Sequence, residues 1–143
     1  MPLVYLFEDD VSLRQLLTEL LTEELAATVQ TCADLADIVA HCTTKAPDAI
    51  VADFWGASHT ALADEERAQI QALAERAPLV LVSARRWAQD ADVAELGVAG
   101  LVSKPLEISE FIDVLHEAMR PRADQAANLP PREALSVFFL GSI

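Results

Sequence analysis

Acidic, hydroxyl and basic residues follow several short apolar runs in this chain, and together they could carry phosphoryl chemistry. In chain order these polar residues are Glu8, Asp9 and Asp10, then Asp53, Ser83 and Lys104. Lys104 is one of only two lysines, so its place after such a run is informative. Two carboxylates about 5 Å apart repel by roughly 3 kcal/mol at an effective dielectric near 20. A cluster of three would therefore bind a proton or recruit a cation.

An all-oxygen cluster of Glu8, Asp9 and Asp53 suits Mg²⁺, which binds through carboxylates, a carbonyl and retained waters. A magnesium ion beside a lysine and a hydroxyl is an arrangement for phosphoryl transfer, because metal and ammonium stabilise charge on the transferring oxygens. In this interpretation Asp53 is the nucleophile and phosphoryl acceptor. Two alternatives stay open: Ser83 could satisfy local backbone groups, and Lys104 could form a structural ion pair with Asp53.

The apolar runs alternate with helical patterns along the chain. Strands are predicted over residues 3–7, 27–31, 49–53, 79–83 and 99–103. Helices are predicted over residues 13–25, 35–42, 61–76, 88–96 and 108–119, from apolar residues that recur at intervals of three and four. Asp10 or Ser12 can cap the first helix, Asp34 can cap the second, and Gly97 closes the fourth.

Five strand–helix units predict a doubly wound α/β domain. The strands are near-continuous apolar runs, which indicates burial on both faces in a parallel sheet with helices on each side. In such folds ligands bind at the carboxyl ends of the strands, where the strand order reverses. The polar residues that follow the strands are therefore expected to meet at one edge of the sheet.

Composition and charge exclude several classes of protein. The chain has 143 residues, 52% of them hydrophobic, and a formal net charge of −13. Residues 1–66 hold 13 acidic and two basic residues, so binding to nucleic acid or to an anionic membrane is not expected. No apolar run could span a bilayer, and no basic residue precedes Arg14 as in a signal peptide. Cys32 and Cys42 suit a reducing cytoplasm. The three histidines are scattered and none is taken to lie i, i+4 from another ligand type, so no zinc site is expected.

Four features of residues 1–120, in order and at similar intervals, resemble the receiver domain of two-component response regulators. They are the acid pair after the first strand, Asp53 after the third, Ser83 before Ala84, and Gly97-x-x-Gly100-x-x-x-Lys104-Pro105. The resemblance is to a stand-alone, chemotaxis-regulator-like receiver. It implies a flavodoxin-like (βα)5 fold with strand order 2-1-3-4-5.

The resemblance also implies a role for each matching residue. Glu8 and Asp9 correspond to the Mg²⁺-binding acids, and Asp10 to the residue that begins the helix. Asp53 corresponds to the aspartate that a histidine kinase or phosphotransfer protein phosphorylates. The remaining expectations are that Ser83 shifts to bond the phosphoryl group, that Lys104 pairs with it before a cis Pro105, and that the carbonyl of Trp55 reaches the metal.

Three residues depart from the pattern of the family or modulate its chemistry. The segment 54–60 lacks the usual Met-Pro and later Gly, so the loop beside the metal is unusual. Trp55 and Arg85 fall at positions that tune phosphoaspartate hydrolysis in the family, and bulky Trp55 is expected to slow it. Leu101 stands where the family usually has the Tyr or Phe that reports activation, and a leucine cannot present the same ring.

Residues 121–143 lie beyond the five units and are interpreted as a linker or tail. The apolar end of this segment, from Leu135 to Ile143, would pack on this domain or on a second copy of the chain, which would then form a homodimer. The leading interpretation is a signalling protein that is not an enzyme and acts by binding a downstream protein. The alternatives are a receiver-like interaction module that is not phosphorylated and, more remotely, a small Mg²⁺-dependent phosphohydrolase of the haloacid dehalogenase type. The phosphohydrolase needs Asp-x-Asp, whereas residues 8–10 offer Glu-x-Asp.

Overall fold

A five-stranded parallel sheet organises the chain in the computed structural model, which describes residues 1–53 and 61–120. The strands are β1 (Leu3–Phe7), β2 (Thr28–Thr31), β3 (Ala49–Asp53), β4 (Leu79–Ser83) and β5 (Gly100–Ser103). They lie in the order β2-β1-β3-β4-β5, and every neighbouring pair is parallel. The predicted doubly wound fold and strand order are confirmed.

Helices connect successive strands and follow the last one. They are α1 (Val11–Leu25), α2 (Leu35–Thr44), α3 (Asp64–Ala74), α4 (Trp87–Asp90), α5 (Val93–Leu96) and α6 (Ile108–Ala118). The single helix expected over 88–96 is wrong, because two separate turns occur there. Asp92 causes the break: its backbone is extended and its side chain accepts a hydrogen bond from Ala94 N, so α5 starts afresh. Gly97 ends α5 in the left-handed conformation, as predicted.

The start of α1 distinguishes between the two caps that the sequence offers. Asp10 is the N-cap, and its carboxylate accepts a hydrogen bond from Leu13 N. Ser12 already lies inside the helix, so the alternative cap is wrong. Asp34 caps α2 in the predicted way by accepting from Asp37 N.

Two hydrophobic cores flank the sheet because side chains alternate between its faces. On one face Val4 and Leu6 pack with α1 and α6, while on the other Tyr5 and Ile50 pack with α2 to α5. All residues of β3 and β4 are buried, as expected for the middle of such a sheet. Trp87 lies in the second core at 5% exposure.

Close packing of β5 against α6 needs a glycine at residue 100. A β-carbon added to Gly100 would overlap Cγ1 of Val114 on α6. Gly100 also begins β5 and pairs with Val80, so it lies at the junction of strand, sheet and helix.

Within residues 1–53 and 61–120, every helix is too short or too polar to cross a membrane. The expectations for Trp55 and for residues 121–143 lie outside the described residues.

Candidate functional site

Three carboxylates meet at the carboxyl edge of the sheet, as the sequence predicted. One carboxylate oxygen from each of Glu8, Asp9 and Asp53 lies within 4.8 Å of the others. Glu8 directly follows β1 and Asp53 ends β3, and these two strands are neighbours. Glu8 and Asp53 are 1% and 3% exposed, whereas Asp9 is open to solvent. The cluster thus has two buried members and one accessible member.

Lys104 bridges the two buried carboxylates. Its Nζ lies 3.1 Å from both Oε1 and Oε2 of Glu8 and donates a hydrogen bond to Oε2. The same atom lies 3.4 Å from Oδ2 of Asp53. The ion pair with Asp53 that the sequence left open is therefore present, and Glu8 shares it. We call Glu8, Asp9, Asp53 and Lys104 the acid site.

The charge of the acid site suits a divalent cation. Burial of the Lys104 ammonium lowers its pKa, but the hydrogen bond to Glu8 and the charges of Asp53 and Glu8 outweigh that effect. The pKa of Lys104 is raised, and the side chain stays charged at neutral pH. Counted at their formal charges, the three carboxylates and the ammonium sum to −2.

One buried oxygen of Glu8, Oε1, is contacted by the Lys104 ammonium at 3.1 Å without a hydrogen bond. Among the described residues no donor forms a hydrogen bond with Oε1 of Glu8, although the atom is buried. Oε2 accepts hydrogen bonds from Lys104 Nζ and, at 3.2 Å, from Asp10 N. A buried carboxylate oxygen without a hydrogen bond is costly unless a cation compensates it; Lys104 compensates part of the charge of the three carboxylates, and a metal ion could compensate more. The donor set consists of oxygens only, so it fits Mg²⁺.

Arg14 holds the backbone on which the acid site is built. Its Nη1 donates to the carbonyl oxygen of Glu8 at 3.2 Å, and its N–H donates to Asp10 O at 2.8 Å. The sequence analysis missed this contact. A signal was present, because Arg14 is one of only two basic residues in residues 1–66 and follows the Asp10 cap by one helical turn.

Ser83 ends β4 beside the acid site. Asp53 pairs in register with Val82, so Ser83 lies one residue further along the same edge. Its Oγ accepts a hydrogen bond from Arg85 N at 3.1 Å. The alternative in which Ser83 bonds local backbone therefore describes this structure. A hydroxyl that accepts in this way still carries its own proton as a donor.

The remaining site residues have different outcomes. The Lys104–Pro105 peptide bond is cis, as the resemblance implied. Lys104 N also donates to Ser83 O at 2.9 Å, which ties the ends of β5 and β4 together. Leu101 is half-buried and packs against the core that contains Trp87.

The premise that no histidine lies i, i+4 from another ligand type is wrong. The histidines are not all remote from other ligand types, because Asp37 and His41 lie one turn apart on α2. Cys32 joins them, and one ligand atom from each residue lies within 4.8 Å of the others. The sequence analysis overlooked the i, i+4 spacing of Asp37 and His41.

Comparisons with known proteins give matches of structure only. No protein-family model matches the chain, and no curated protein matches it significantly in sequence. A pilus assembly-related protein from Burkholderia pseudomallei matches with a TM-score of 0.63 and 23% identity, covering 83% of this chain and 90% of its own. The signal receiver domain of an HD domain-containing protein from Pseudomonas fluorescens matches with a TM-score of 0.68 and 15% identity, covering 90% and 93%.

The chemotaxis response regulator CheY4 of Vibrio cholerae matches with a TM-score of 0.61 and 18% identity, over 82% of this chain and 98% of that one. The chain therefore has the fold of response regulator receiver domains.

Proposed function

We propose that this chain is a phosphoacceptor signalling domain, phosphorylated on Asp53 with Mg²⁺ held by Glu8, Asp9, Asp53 and the carbonyl of Trp55. The observation that carries the proposal is the pairing of Lys104 with both Glu8 and Asp53 at one edge of a receiver fold. A lysine beside an acceptor carboxylate is placed to pair with the oxygens of an incoming phosphoryl group.

Phosphoryl transfer to Asp53 needs no reactant other than the phosphohistidine donor. A carboxylate oxygen of Asp53 forms a bond to the phosphorus of a phosphohistidine, and the P–N bond breaks with its electron pair passing to the histidine nitrogen. The donor is a histidine kinase or a phosphotransfer protein. A bound Mg²⁺ would neutralise charge on the phosphoryl oxygens. Lys104 then exchanges part of its contact with Asp53 for the phosphoryl group, and Ser83 turns its hydroxyl proton towards the same group.

The output of such a domain is a protein contact rather than product release. Residues 1–120 form the receiver unit in this proposal, and residues 121–143 form a tail that docks on the domain or on a second copy. With 13 acidic residues in residues 1–66, the partner surface is expected to be neutral or basic protein, not nucleic acid.

Phosphorylation of the purified chain tests the proposal. The chain is incubated with acetyl phosphate and Mg²⁺, and its intact mass is followed with time. We expect one phosphoryl group per chain, with no adduct on Asp53→Asn and none in excess EDTA. Asp113→Asn is the matched control, because Asp113 is an exposed acid on α6, and it should be phosphorylated normally.

The same experiment separates the alternatives. No adduct on the wild-type chain, with acetyl phosphate or with a histidine kinase as donor, would identify an interaction module that is not phosphorylated. The unusual segment 54–60 and Leu101 favour that second candidate. Repeated turnover of a phosphomonoester would identify a phosphohydrolase.

A further inference from the structure

A second cluster of metal-ligating side chains lies at the carboxyl end of β2, formed by Cys32, Asp37 and His41. A thiol sulfur, a carboxylate oxygen and an imidazole nitrogen all lie within 4.8 Å of one another. No residue of the cluster belongs to the acid site. The donor atoms differ in kind from the all-oxygen set of the acid site, so the two places would select different metals.

Short local structure brings the three ligands together. Cys32 directly follows β2, and its N–H donates to Leu6 O at 2.8 Å, which fixes it to the neighbouring strand β1. Asp37 and His41 lie on one side of α2, with 3.6 Å between Oδ1 of Asp37 and Nε2 of His41. The Asp34 cap sets the start of α2 and so the direction in which Asp37 and His41 face.

Further contacts fix the orientation of the Asp37 and His41 side chains. Oδ2 of Asp37 accepts a hydrogen bond from Ala33 N at 2.9 Å, which leaves Oδ1 facing His41. The His41 ring packs against the Tyr5 ring, with 5.6 Å between the ring centroids. Contacts of this kind orient ligands before a metal arrives, and their loss weakens metal binding.

We propose that Cys32, Asp37 and His41 form a binding site for a zinc-class divalent ion, in addition to the acid site. Thiolate, imidazole and carboxylate are the ligands that Zn²⁺ takes in proteins. Tetrahedral zinc with bonds of about 2.0–2.3 Å keeps its ligand atoms about 3.3–3.6 Å apart. The separation of Asp37 and His41 already meets this requirement, and the distances from Cys32 Sγ, at most 4.8 Å, would have to shorten by no more than about 1.5 Å.

The exposure of the ligands fits an ion that enters from solvent. Cys32 is 4% exposed, whereas the side chains of Asp37 and His41 are 38% and 36% exposed. Burial, together with the charges of Asp37, Cys42 and Asp34, raises the pKa of Cys32 to about 11. The metal-free thiol is therefore protonated, and binding replaces the S–H bond with a sulfur–metal bond and releases a proton to water. Three protein ligands leave a fourth position for water or for a partner's side chain.

Cobalt titration of the full chain tests the site, because a thiolate bound to Co²⁺ gives an intense near-ultraviolet band. The protein is stripped with EDTA, freed of chelator, kept reduced with a phosphine, and titrated with CoCl₂ in excess Mg²⁺. We expect the band to saturate at one equivalent and to disappear when Zn²⁺ is added. Cys32→Ser should abolish the band, and Asp37→Asn and His41→Gln should each weaken binding at least about tenfold.

Matched variants separate this site from its neighbours. Cys42→Ser removes the thiol on α2 and leaves the three ligands of the cluster intact. Asp53→Asn removes a ligand of the acid site. Both variants should therefore bind Co²⁺ like the wild type. Because Cys32 is buried, its variant could misfold, and the exposed Asp37 and His41 variants then carry the test, with circular dichroism as the folding check. Unchanged binding in both of those variants, loss of the band in Cys42→Ser, or no saturable binding at all would overturn the proposal.

Discussion

Lys104 supplies the positive charge on which two buried carboxylates depend. Its Nζ contacts Glu8 and Asp53, both of which are nearly inaccessible to water. Removing one partner of a buried ion pair leaves an uncompensated charge and costs about 3–5 kcal/mol. At this site the cost should depend on metal, since a divalent cation can replace the missing charge.

We therefore expect Lys104→Met to lower the free energy of unfolding by about 3 kcal/mol in EDTA. Excess Mg²⁺ should recover a large part of that loss, because it binds the same carboxylates. Urea unfolding with and without Mg²⁺ measures both effects. Lys45→Met is the matched control, since Lys45 is the other lysine and is exposed. Equal stability of the two variants in EDTA would show that Lys104 does not compensate the buried charge.

The meeting of Glu8, Asp53 and Lys104 could be predicted from the sequence, but the second cluster was not. The first three residues follow strands whose carboxyl ends share an edge in any parallel sheet, so the fold alone brings them together. The cluster of Cys32, Asp37 and His41 depends on where α2 begins and which way it faces. A shift of one residue in that start would turn Asp37 and His41 away from Cys32 by roughly 100°.

Helix caps decide several boundaries at the scale of the secondary-structure elements. Asp10 and Ser12 are both candidate caps in the sequence, and the extended backbone of Asp10 with its hydrogen bond from Leu13 N separates them. The same holds for Asp92, whose capping bond splits the predicted helix over 88–96 into two turns. Apolar spacing predicts that a helix exists, while a local side-chain hydrogen bond determines where it starts.

The cap of α1 gives a direct comparison of two neighbouring polar residues. We expect Asp10→Ala to destabilise the protein by about 1 kcal/mol, because Leu13 N loses its acceptor. Ser12→Ala should change the stability by less than about 0.5 kcal/mol. Thermal unfolding of the two variants measures this difference in stability. EDTA is present so that no metal ion is bound at the acid site. A larger effect at Ser12 would contradict the assignment of the cap.

Packing of β5 against α6 gives a second prediction at this scale. We expect Gly100→Ala to cost about 1–3 kcal/mol, because the added methyl group overlaps Val114. Val114→Ala makes room for it, so the double variant should be more stable than the sum of the two single effects implies. Urea unfolding of the four proteins measures this coupling. If the two single effects on stability simply add in the double variant, the overlap with Val114 is not the cause of the destabilisation.

At the scale of the whole molecule, the described residues 1–53 and 61–120 form two hydrophobic cores. Their buried and partly buried members all lie between Leu3 and Met119. The boundary at residue 120, placed in the sequence at the end of the fifth strand–helix unit, stays a prediction. The sequence could not predict the placement of residues 121–143, since an apolar segment can pack on its own domain or on a second copy with the same gain in burial.

A chain ending at residue 120 is therefore expected to unfold cooperatively, with helix and strand content unchanged over the retained residues. Circular dichroism and urea unfolding check this. A chain ending at residue 107 is the contrasting control, because it lacks Phe111 and Leu115, which are fully buried on α6. The mass in solution then decides the role of the tail: a dimer that becomes a monomer on truncation assigns the contact to residues 121–143, and an unchanged mass removes that role.

Because β3 and β4 are buried, we expect them to resist displacement when a group is attached to Asp53. Each residue of these strands is packed on both faces, and each strand is hydrogen-bonded on both edges. Their amide protons should exchange with deuterium only when the entire domain opens, which makes them the most rigid part of the chain. A new group attached to Asp53 at the end of β3 would therefore not displace the strand itself. If Asp53 is phosphorylated as proposed, we expect the displacement to occur instead in the segments that follow the strands, where Arg85 and Lys104 lie.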